Sequence, residues 1–198
     1  MIVAIIDYGS GNVFSVSSAL KRLGVEAIIT SDATIIKSAD AVIFPGVGHA
    51  KAAMEQLKVK GLDKLIPTLT QPFLGICLGM QLMCSYTEEG DVDCLGIFSD
   101  VKVRKFIDSP KTPHMGWNTL MNGKSIFLED NSDVYFVHSY FVSLNEFTIS
   151  EVEYGSKFTA SMQKNNFYGC QFHPEKSGEA GGKMIAKFLG LVTNESKN

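Results

Sequence analysis

At residues 72–81 the chain reads PFLGICLGMQ, an apolar run that meets a cysteine between two glycines and continues into a helical pattern. Such a run is typical of a strand that is buried on both faces of a sheet. A sharp strand-to-helix turn with a nucleophile at its apex is a nucleophile elbow, here with Cys77 in the place of serine. Gly75 and Gly79 remove side chains that would block substrate and backbone. The stretch predicts an α/β sheet with a reactive thiol at the end of one strand.

The rest of the first half alternates short apolar runs with amphipathic segments. Four runs predict strands buried in a sheet, at residues 2–7, 25–30, 41–44 and 72–76. Helical patterns follow them, one through Val16, Leu20 and Leu23 and two others over 50–57 and 78–86. Strand, helix and strand at this spacing predict a mostly parallel sheet with helices on both faces.

The second half is richer in β-type residues. Short runs separated by polar turns lie at residues 101–106, 134–137, 148–152, 158–162 and 167–172. They predict antiparallel or mixed strands that extend the same sheet, closed by a helix over residues 181–189. Because no repeat, low-complexity tract or linker interrupts the chain, we expect residues 1–198 to form a single domain.

Composition limits the classes of partner. The chain has 198 residues, of which 45% are hydrophobic and 20% charged, as is usual for a soluble globular protein. A net charge of -3 gives no sign of the strongly basic face that nucleic acid would require, and an acidic membrane surface is equally not predicted as a partner. The N-terminus meets Asp7 after six residues and has no cationic segment, so it is predicted to be a strand and not a signal peptide.

The four cysteines differ in their surroundings. Cys77 is expected at a helix N-terminus, where N–H groups and the helix dipole favour a thiolate. A buried structural cysteine is the alternative interpretation of Cys77. Cys84, inside the predicted helix, is expected in the core. The absence of CxxC pairs and of tight spacing predicts reduced thiols in a cytoplasmic protein.

A second motif, QFHPE, stands at residues 171–175. Residues two apart on an extended segment point the same way, and Pro174 disfavours a helix, so His173 and Glu175 share a face. A carboxylate beside an imidazole holds one tautomer and stabilises the imidazolium. A solvent-facing ion pair or half of a metal site would have the same pattern. We predict no metal, because the other histidines, His49, His114 and His138, are scattered and are each expected to serve packing or the surface.

A glycine-rich loop, FPGVG at residues 44–48, follows the third predicted strand. Backbone N–H groups in such a loop, together with the N–H of Leu78, can stabilise a tetrahedral oxyanion. An ordinary β-turn is the alternative. The similar segment YGSGN at residues 8–12 does not predict a dinucleotide site, because the third glycine of that fingerprint would fall at Phe14.

The elbow cysteine, the glycine-rich loop and the late His-Pro-Glu, in this order, resemble the class I glutamine amidotransferases. Four segments narrow the resemblance to the glutaminase subunits of imidazole glycerol phosphate synthases, across essentially the whole chain: YGSGN (8–12), PHMGWN (113–118), YFVHSY (135–140) and HPEKS (173–177). The resemblance implies an α/β, flavodoxin-like fold with a central mixed, mostly parallel sheet flanked by helices. It implies no cofactor.

The resemblance also implies roles for individual residues. Cys77 is the nucleophile, His173 the general base and acid, and Glu175 the residue that orients the imidazole. The oxyanion N–H groups and the loop that presents them are expected at Gly46, Val47, Gly48 and Leu78. The residues expected to bind glutamine are Gln81, Glu89, His138, Ser139 and Tyr140, with Glu89 placed to meet the α-amino group.

Four positions fall in segments that are expected to face a partner: Asn12, Met115, Trp117 and Lys176. The implied partner is a (β/α)8 cyclase subunit, with which the chain forms a heterodimer. The cyclase uses the ammonia to make imidazole glycerol phosphate and aminoimidazole carboxamide ribotide. Two alternatives stay open: a related amidotransferase that supplies a different synthase, and a regulatory module without catalysis.

Overall fold

The computed structural model describes residues 1–107, 110–123 and 131–195, with side chains to residue 192. The strands in these ranges are β1 Val3–Ile6, β2 Ala27–Thr30, β3 Ala41–Gly46, β4 Phe73–Cys77, β5 Cys84–Thr87, β6 Val92–Asp93, β7 Phe98–Lys105, β8 His114–Thr119, β9 Asp133–His138, β10 Tyr140–Val142, β11 Thr148–Tyr154, β12 Ser156–Lys164 and β13 Phe167–Cys170. The helices are α1 Val13–Arg22, α2 Ala33–Ser38, α3 Ala50–Val59, α4 Leu62–Leu65, α5 Leu78–Leu82 and α6 Gly178–Glu195, with short 3-10 helices at Ile66–Thr68 and Pro174–Lys176.

A central seven-stranded sheet has the order β11-β12-β13-β4-β3-β1-β2. The five strands from β13 to β2 pair in parallel, whereas β12 and β11 are added antiparallel at one edge. The prediction of a mixed, mostly parallel sheet is confirmed. Strand β4, which ends in Cys77, lies in the interior of the sheet.

Two hydrophobic clusters cover the two faces of this sheet. In β1, Ala4 and Ile6 belong to one cluster, while Val3 and Ile5 belong to the other. Side chains alternate along a strand, so a strand covered on both sides must be apolar at every position. Helices α1 and α6 pack on one face, and α3 and α5 on the other. This double burial explains the continuous apolar runs of the first half.

The prediction that all later strands extend the same sheet is wrong in part. Strands β11, β12 and β13 do extend it, but β10-β7-β5-β6 form a separate four-stranded sheet and β8-β9 a two-stranded ribbon. The burial of β7 gives the physical reason, because it buries only every second or third residue and leaves the others exposed. A strand with one solvent-exposed face cannot lie in the interior of a sheet that is covered by helices on both faces.

Two predicted elements end or begin elsewhere. The helix predicted over 78–86 stops at Leu82, and Cys84 begins strand β5, which pairs with β6 and β7. Cys84 is buried, as expected, but it lies on a strand. The residues of this segment form helices only weakly, so pairing with neighbouring strands prevails over a helix. The strand predicted over 25–30 begins at Ala27 and occupies the sheet edge, so Ile28 is 43% exposed and the prediction of a buried strand is wrong.

The C-terminal helix α6 is longer than the predicted 181–189, because it begins at Gly178, with one residue between it and the 3-10 helix Pro174–Lys176. This 3-10 helix contradicts the prediction that the His-Pro-Glu segment is extended: Pro174 takes the first helical position, where its missing N–H costs no hydrogen bond. The single domain over 1–198 stays a prediction. Within the described ranges, no helix is long and apolar enough to cross a membrane.

Candidate active site

The turn after β4 places Cys77 at the apex of a strained backbone. Cys77 precedes the first residue of α5 and has φ 53° and ψ -110°, a left-handed conformation that is rare outside glycine. The first turn of α5 packs directly on the end of β3, since a Cβ at Gly79 would overlap the carbonyl oxygen of Phe44. Gly46 lies opposite, where a Cβ would meet the Gly79 nitrogen. The close approach of these two elements holds the elbow in place.

The His-Pro-Glu segment follows β13 and is held against β9. The His173 N–H donates to the Tyr135 carbonyl at 2.9 Å. The Ser177 hydroxyl donates to the His173 carbonyl at 2.6 Å and accepts from the Tyr135 N–H at 2.9 Å. Within the segment, His173 Nδ1 lies 2.8 Å from Glu175 Oε1, and both side chains are buried. The backbone around the imidazole is therefore fixed from two sides.

The partners of His173 determine its protonation. A carboxylate only accepts, so Nδ1 carries the hydrogen, and Nε2 is buried without a hydrogen bond of regular geometry in the described ranges. Burial lowers the pKa of His173, but the neighbouring Cys77 sulfur and the hydrogen-bonded Glu175 carboxylate outweigh burial and raise it from 6.5 to about 10. Cys77, His173 and Glu175 therefore interact as one cluster, with Nε2 as the nitrogen that can exchange a proton with sulfur.

A cleft of about 280 Å³ opens above Cys77. The residues that line it are Val47, Gly48, Cys77, Leu78, Gln81, Glu89, Val137, His138, Ser139, Tyr140, His173 and Lys176. Glu175 stands behind His173, and Gly46 packs beneath the elbow. Asn12 precedes α1, and Met115 and Trp117 on β8 are 62% and 58% exposed. The structure therefore gathers the predicted substrate residues at the triad and leaves three of the four predicted partner residues outside the cleft.

The chain matches the family described as Glutamine amidotransferase class-I over residues 4–191. It belongs to the class I glutamine amidotransferase family. It is 57% identical over 197 residues to the imidazole glycerol phosphate synthase subunit HisH of Bacteroides fragilis (strain YCH46), covering 96% of this chain and 100% of that protein. The subunit of the same name from Shigella flexneri is 48% identical over 197 residues, with 96% and 100% covered.

Solved structures confirm the predicted amidotransferase fold. A subunit of a putative GMP synthase from Thermoplasma acidophilum superposes with a TM-score of 0.76, covering 100% of this chain and 96% of that chain. At 18% identity this likeness concerns the fold alone. PurLQS from Thermotoga maritima gives a TM-score of 0.70 at 18% identity, with 96% and 98% covered.

The acidic residue in the cleft of this amidotransferase is held by a helix. Glu89 Oε2 accepts from the N–H of Ala50, the first residue of α3, at 2.9 Å. The first N–H groups of a helix have no acceptor within the helix, so a carboxylate is well placed there. Glu89 is thereby fixed at a wall of the cleft, where its charge faces whatever occupies it.

A second imidazole, His138, lies in the same cleft within a neutral chain of hydrogen bonds. Its Nδ1 is 2.8 Å from the Tyr140 carbonyl, and its Nε2 is 3.0 Å from His114 Nδ1. Because the carbonyl only accepts, His138 carries its hydrogen on Nδ1, and His114 must donate from its own Nδ1. The Asn118 amide, 3.5 Å from His114 Nε2, completes the chain. Sequence reasoning missed His114, because its pairing with His138 depends on the β8–β9 register.

Burial sets the protonation of this second chain. It lowers the pKa of His114 from 6.5 to about 4. Burial likewise lowers the pKa of His138 to about 3, with the His114 and His173 charges acting in the same direction and the bond to Tyr140 opposing them. Both rings are therefore neutral at neutral pH, and they position Tyr140 without carrying charge into the cleft.

A glutamine pair lies beneath the nucleophile. The Gln81 amide nitrogen donates to the Tyr140 carbonyl at 2.9 Å and to Gln171 Oε1 at 2.8 Å. The Gln171 amide nitrogen in turn lies 3.6 Å from the Cys77 sulfur. Gln171 was not among the predicted site residues. The signal was present, because Gln171 stands two residues before His173 in the same QFHPE motif.

Proposed function

We propose that this chain is the glutaminase subunit of an imidazole glycerol phosphate synthase, which hydrolyses glutamine and delivers ammonia to a cyclase subunit. The observation that carries the chemistry is the meeting of Cys77, His173 and Glu175 at one cleft, although Cys77 and His173 are far apart in sequence. The choice of pathway rests on the names of relatives that align over nearly the whole chain. We propose cytoplasmic action, in keeping with the four free cysteines.

The first half-reaction forms a thioester. At rest His173 already holds the proton of the Cys77 thiol, and the sulfur attacks the carboxamide carbon of glutamine as a thiolate, so that a C–S bond forms and the carbonyl electrons move to oxygen. The N–H groups of Val47 and Leu78 stabilise that oxyanion. When it collapses, the C–N bond breaks, and the imidazolium gives its proton to the departing nitrogen as ammonia leaves.

The second half-reaction hydrolyses the thioester. His173, now neutral, takes one proton from a water that attacks the acyl carbon. The C–S bond breaks with its electron pair on sulfur, and glutamate leaves after losing the second proton of that water to solvent. The imidazolium and the thiolate then face each other again. The raised pKa of His173, about 10, matches this state, because at neutral pH the ring holds a proton between a carboxylate and sulfur.

The walls of the cleft suit the polar ends of glutamine. Glu89 is placed to pair with the α-amino group, a charge-assisted bond that a neutral residue would not provide. Gln81, Ser139 and Tyr140 offer amide, hydroxyl and backbone groups to the rest of the substrate, and His138 holds Tyr140. These five residues are proposed to bind glutamine before sulfur attacks.

The partner surface is proposed to lie at the mouth of the cleft. Trp117 lies over Gly178, and Lys176 both lines the cleft and is exposed. Met115, exposed and two residues from Trp117 on β8, is proposed to belong to the same surface, and Asn12 to add a polar group to it. A (β/α)8 cyclase docked here in a heterodimer would receive ammonia directly. This matters because ammonia released into water is protonated and loses its nucleophilicity.

The test separates glutamine chemistry from synthesis. In complex with a cyclase subunit, Cys77→Ala should abolish glutamine-dependent formation of imidazole glycerol phosphate and leave synthesis from added ammonium salt intact. Cys94→Ala, which removes a thiol outside the cleft, is the matched control and should keep both activities. Glutamine hydrolysis by the Cys77→Ala protein would refute the nucleophile. Assembly with a different synthase, and none with the cyclase, would refute the pathway.

A further inference from the structure

Gln171 is a fully buried polar residue for which the triad mechanism has no use. It lies between the end of β13 and His173, and its side chain is 0% exposed. Burying an amide is costly unless its groups are hydrogen-bonded. Its oxygen accepts from Gln81 at 2.8 Å, and its nitrogen is 3.6 Å from the Cys77 sulfur. The reacting atom of the enzyme is therefore one of its two partners.

The network fixes which end of the amide faces sulfur. The Tyr140 carbonyl has only lone pairs, so Gln81 must present its NH₂ group there. The same NH₂ group faces Gln171, which must therefore present its oxygen to Gln81. The remaining end of Gln171 is the NH₂ group, and it points at Cys77. A reversed amide at either glutamine would set two acceptors or two donors against each other.

We propose that Gln171 is a further catalytic residue, whose amide N–H stabilises the negative charge of the Cys77 sulfur when it attacks and when it leaves the thioester. The proposal rests on the proposed role of Cys77 as nucleophile. Hydrogen bonds to an ionised acceptor are stronger than neutral ones, so the N–H favours the thiolate over both the thiol and the thioester. Gln81 and Tyr140 are positioning groups that hold the amide in this orientation.

The Gln171 amide, a neutral donor, can stabilise the Cys77 sulfur at steps in which His173 is occupied with another proton. During thioester hydrolysis His173 first takes a proton from water and is engaged with that proton as the C–S bond breaks. Gln171 cannot give its proton away, so it stays a donor to sulfur through every step. Loss of Gln171 should therefore lower kcat more than it raises KM. The reason is that sulfur is negatively charged before the C–S bond forms and again after it breaks.

The experiment measures alkylation of Cys77 by iodoacetamide against pH, read as modification of the Cys77 peptide by mass spectrometry. The variants are Gln171→Met, which keeps the length of the side chain without a donor, and Gln171→Glu, which places an anion near sulfur. The matched control is Gln71→Met, because the Gln71 amide also donates to an internal acceptor, the Ile36 carbonyl, far from the cleft. Thermal unfolding establishes which variants are folded.

The inflection of the alkylation profile should rise by about one pH unit in Gln171→Met and by more in Gln171→Glu, and stay unchanged in Gln71→Met. The glutaminase kcat of Gln171→Met should fall about tenfold with less than about a threefold change in KM. Among the described residues, the other ionisable groups that face Cys77 or the cleft are His173, Glu175, Tyr8, Cys170, Glu89, His138, Tyr140 and Lys176. They are common to all four proteins, so the comparison isolates position 171.

An unchanged inflection in either folded Gln171 variant overturns the proposal, because a structural role alone would alter thermal stability and not the ionisation of sulfur. Equal shifts in the Gln71 and Gln171 variants also overturn it. If wild-type Cys77 shows no reactive thiolate at any pH, the nucleophile itself is wrong, and the proposed function fails before Gln171 is tested. The two failures are thus distinguishable.

Discussion

His173 and His138 line the same cleft, and both side chains are buried, but their partners differ. His173 lies between a carboxylate and a sulfur. His138 lies between a backbone carbonyl and a neutral imidazole. Burial lowers both pKa values, yet the final pKa is about 10 for His173 and about 3 for His138.

Because burial lowers the pKa of both rings, the difference between them follows from their partners. A charged partner makes the imidazolium the resting form, which suits proton exchange with sulfur. Neutral partners keep the other ring uncharged, which suits a fixed support for Tyr140. Changes to one ring, to one partner or to the pH test whether the two rings differ in this way.

The largest effect on glutaminase activity is expected when His173 and His138 are each replaced by asparagine and the two variants are compared. His173→Asn should lower the glutaminase kcat of the complex by at least about 10³-fold, because both proton transfers are lost. His138→Asn should cost less than about tenfold, mainly through KM, because only the support of Tyr140 changes. Ammonium-dependent synthesis checks that each complex is intact. Comparable losses in the two variants would show that the comparison is wrong.

A smaller effect is expected from changing the partner of His173. Glu175→Gln should lower the pKa of His173 and reduce kcat by about 10²-fold or more, since an amide can hold the wrong tautomer and does not stabilise the imidazolium. The titration of the His173 ring, followed by NMR, gives the direction. Glu179→Gln is the matched control, because it removes the carboxylate of the exposed Glu179–Lys183 pair on α6. An unchanged titration in Glu175→Gln would contradict the role of the carboxylate.

The sequence predicts those parts of the site that local geometry determines. The elbow at Cys77 follows from an apolar strand with flanking glycines. His173 and Glu175 do pair, as predicted from their short spacing, although Glu175 lies in a 3-10 helix and not on an extended segment. The parallel core of the sheet follows from runs that are apolar at every position. In these cases a short stretch of chain contains both the pattern and its consequence.

The missed features depend on contacts between distant segments. His114 meets His138 only because β8 and β9 pair in one register, and Gln171 meets Cys77 only because β13 lies beside β4. The helix predicted over 78–86 ended early because Cys84 pairs with Phe98 across a second sheet. Such pairings are set by the packing of the whole chain, so residue spacing alone cannot specify them.

The smallest effect concerns stability against pH. An ordinary histidine titrates near pH 6.5, and the lowered pKa of His114, about 4, means that only the unfolded chain takes up this proton between those values. His138, with a pKa of about 3, acts in the same direction, so the free energy of unfolding should fall as the pH drops below 6.5. His173 acts oppositely: its raised pKa contributes stability below pH 6.5 that is lost as the pH rises toward 10.

Replacing one neutral ring should flatten the acid side of this profile. His114→Gln keeps an amide donor for His138 but removes the titrating group, so its loss of stability between pH 6.5 and about 4 should be shallower than that of the wild type by about 1.4 kcal/mol per pH unit. Urea unfolding at several pH values measures the slope. Exposed His49→Gln is the control and should follow the wild type. Parallel slopes for His114→Gln and the wild type would mean that the His114 ring takes up its proton in the folded chain. The claim that His114 and His138 stay neutral would then be wrong.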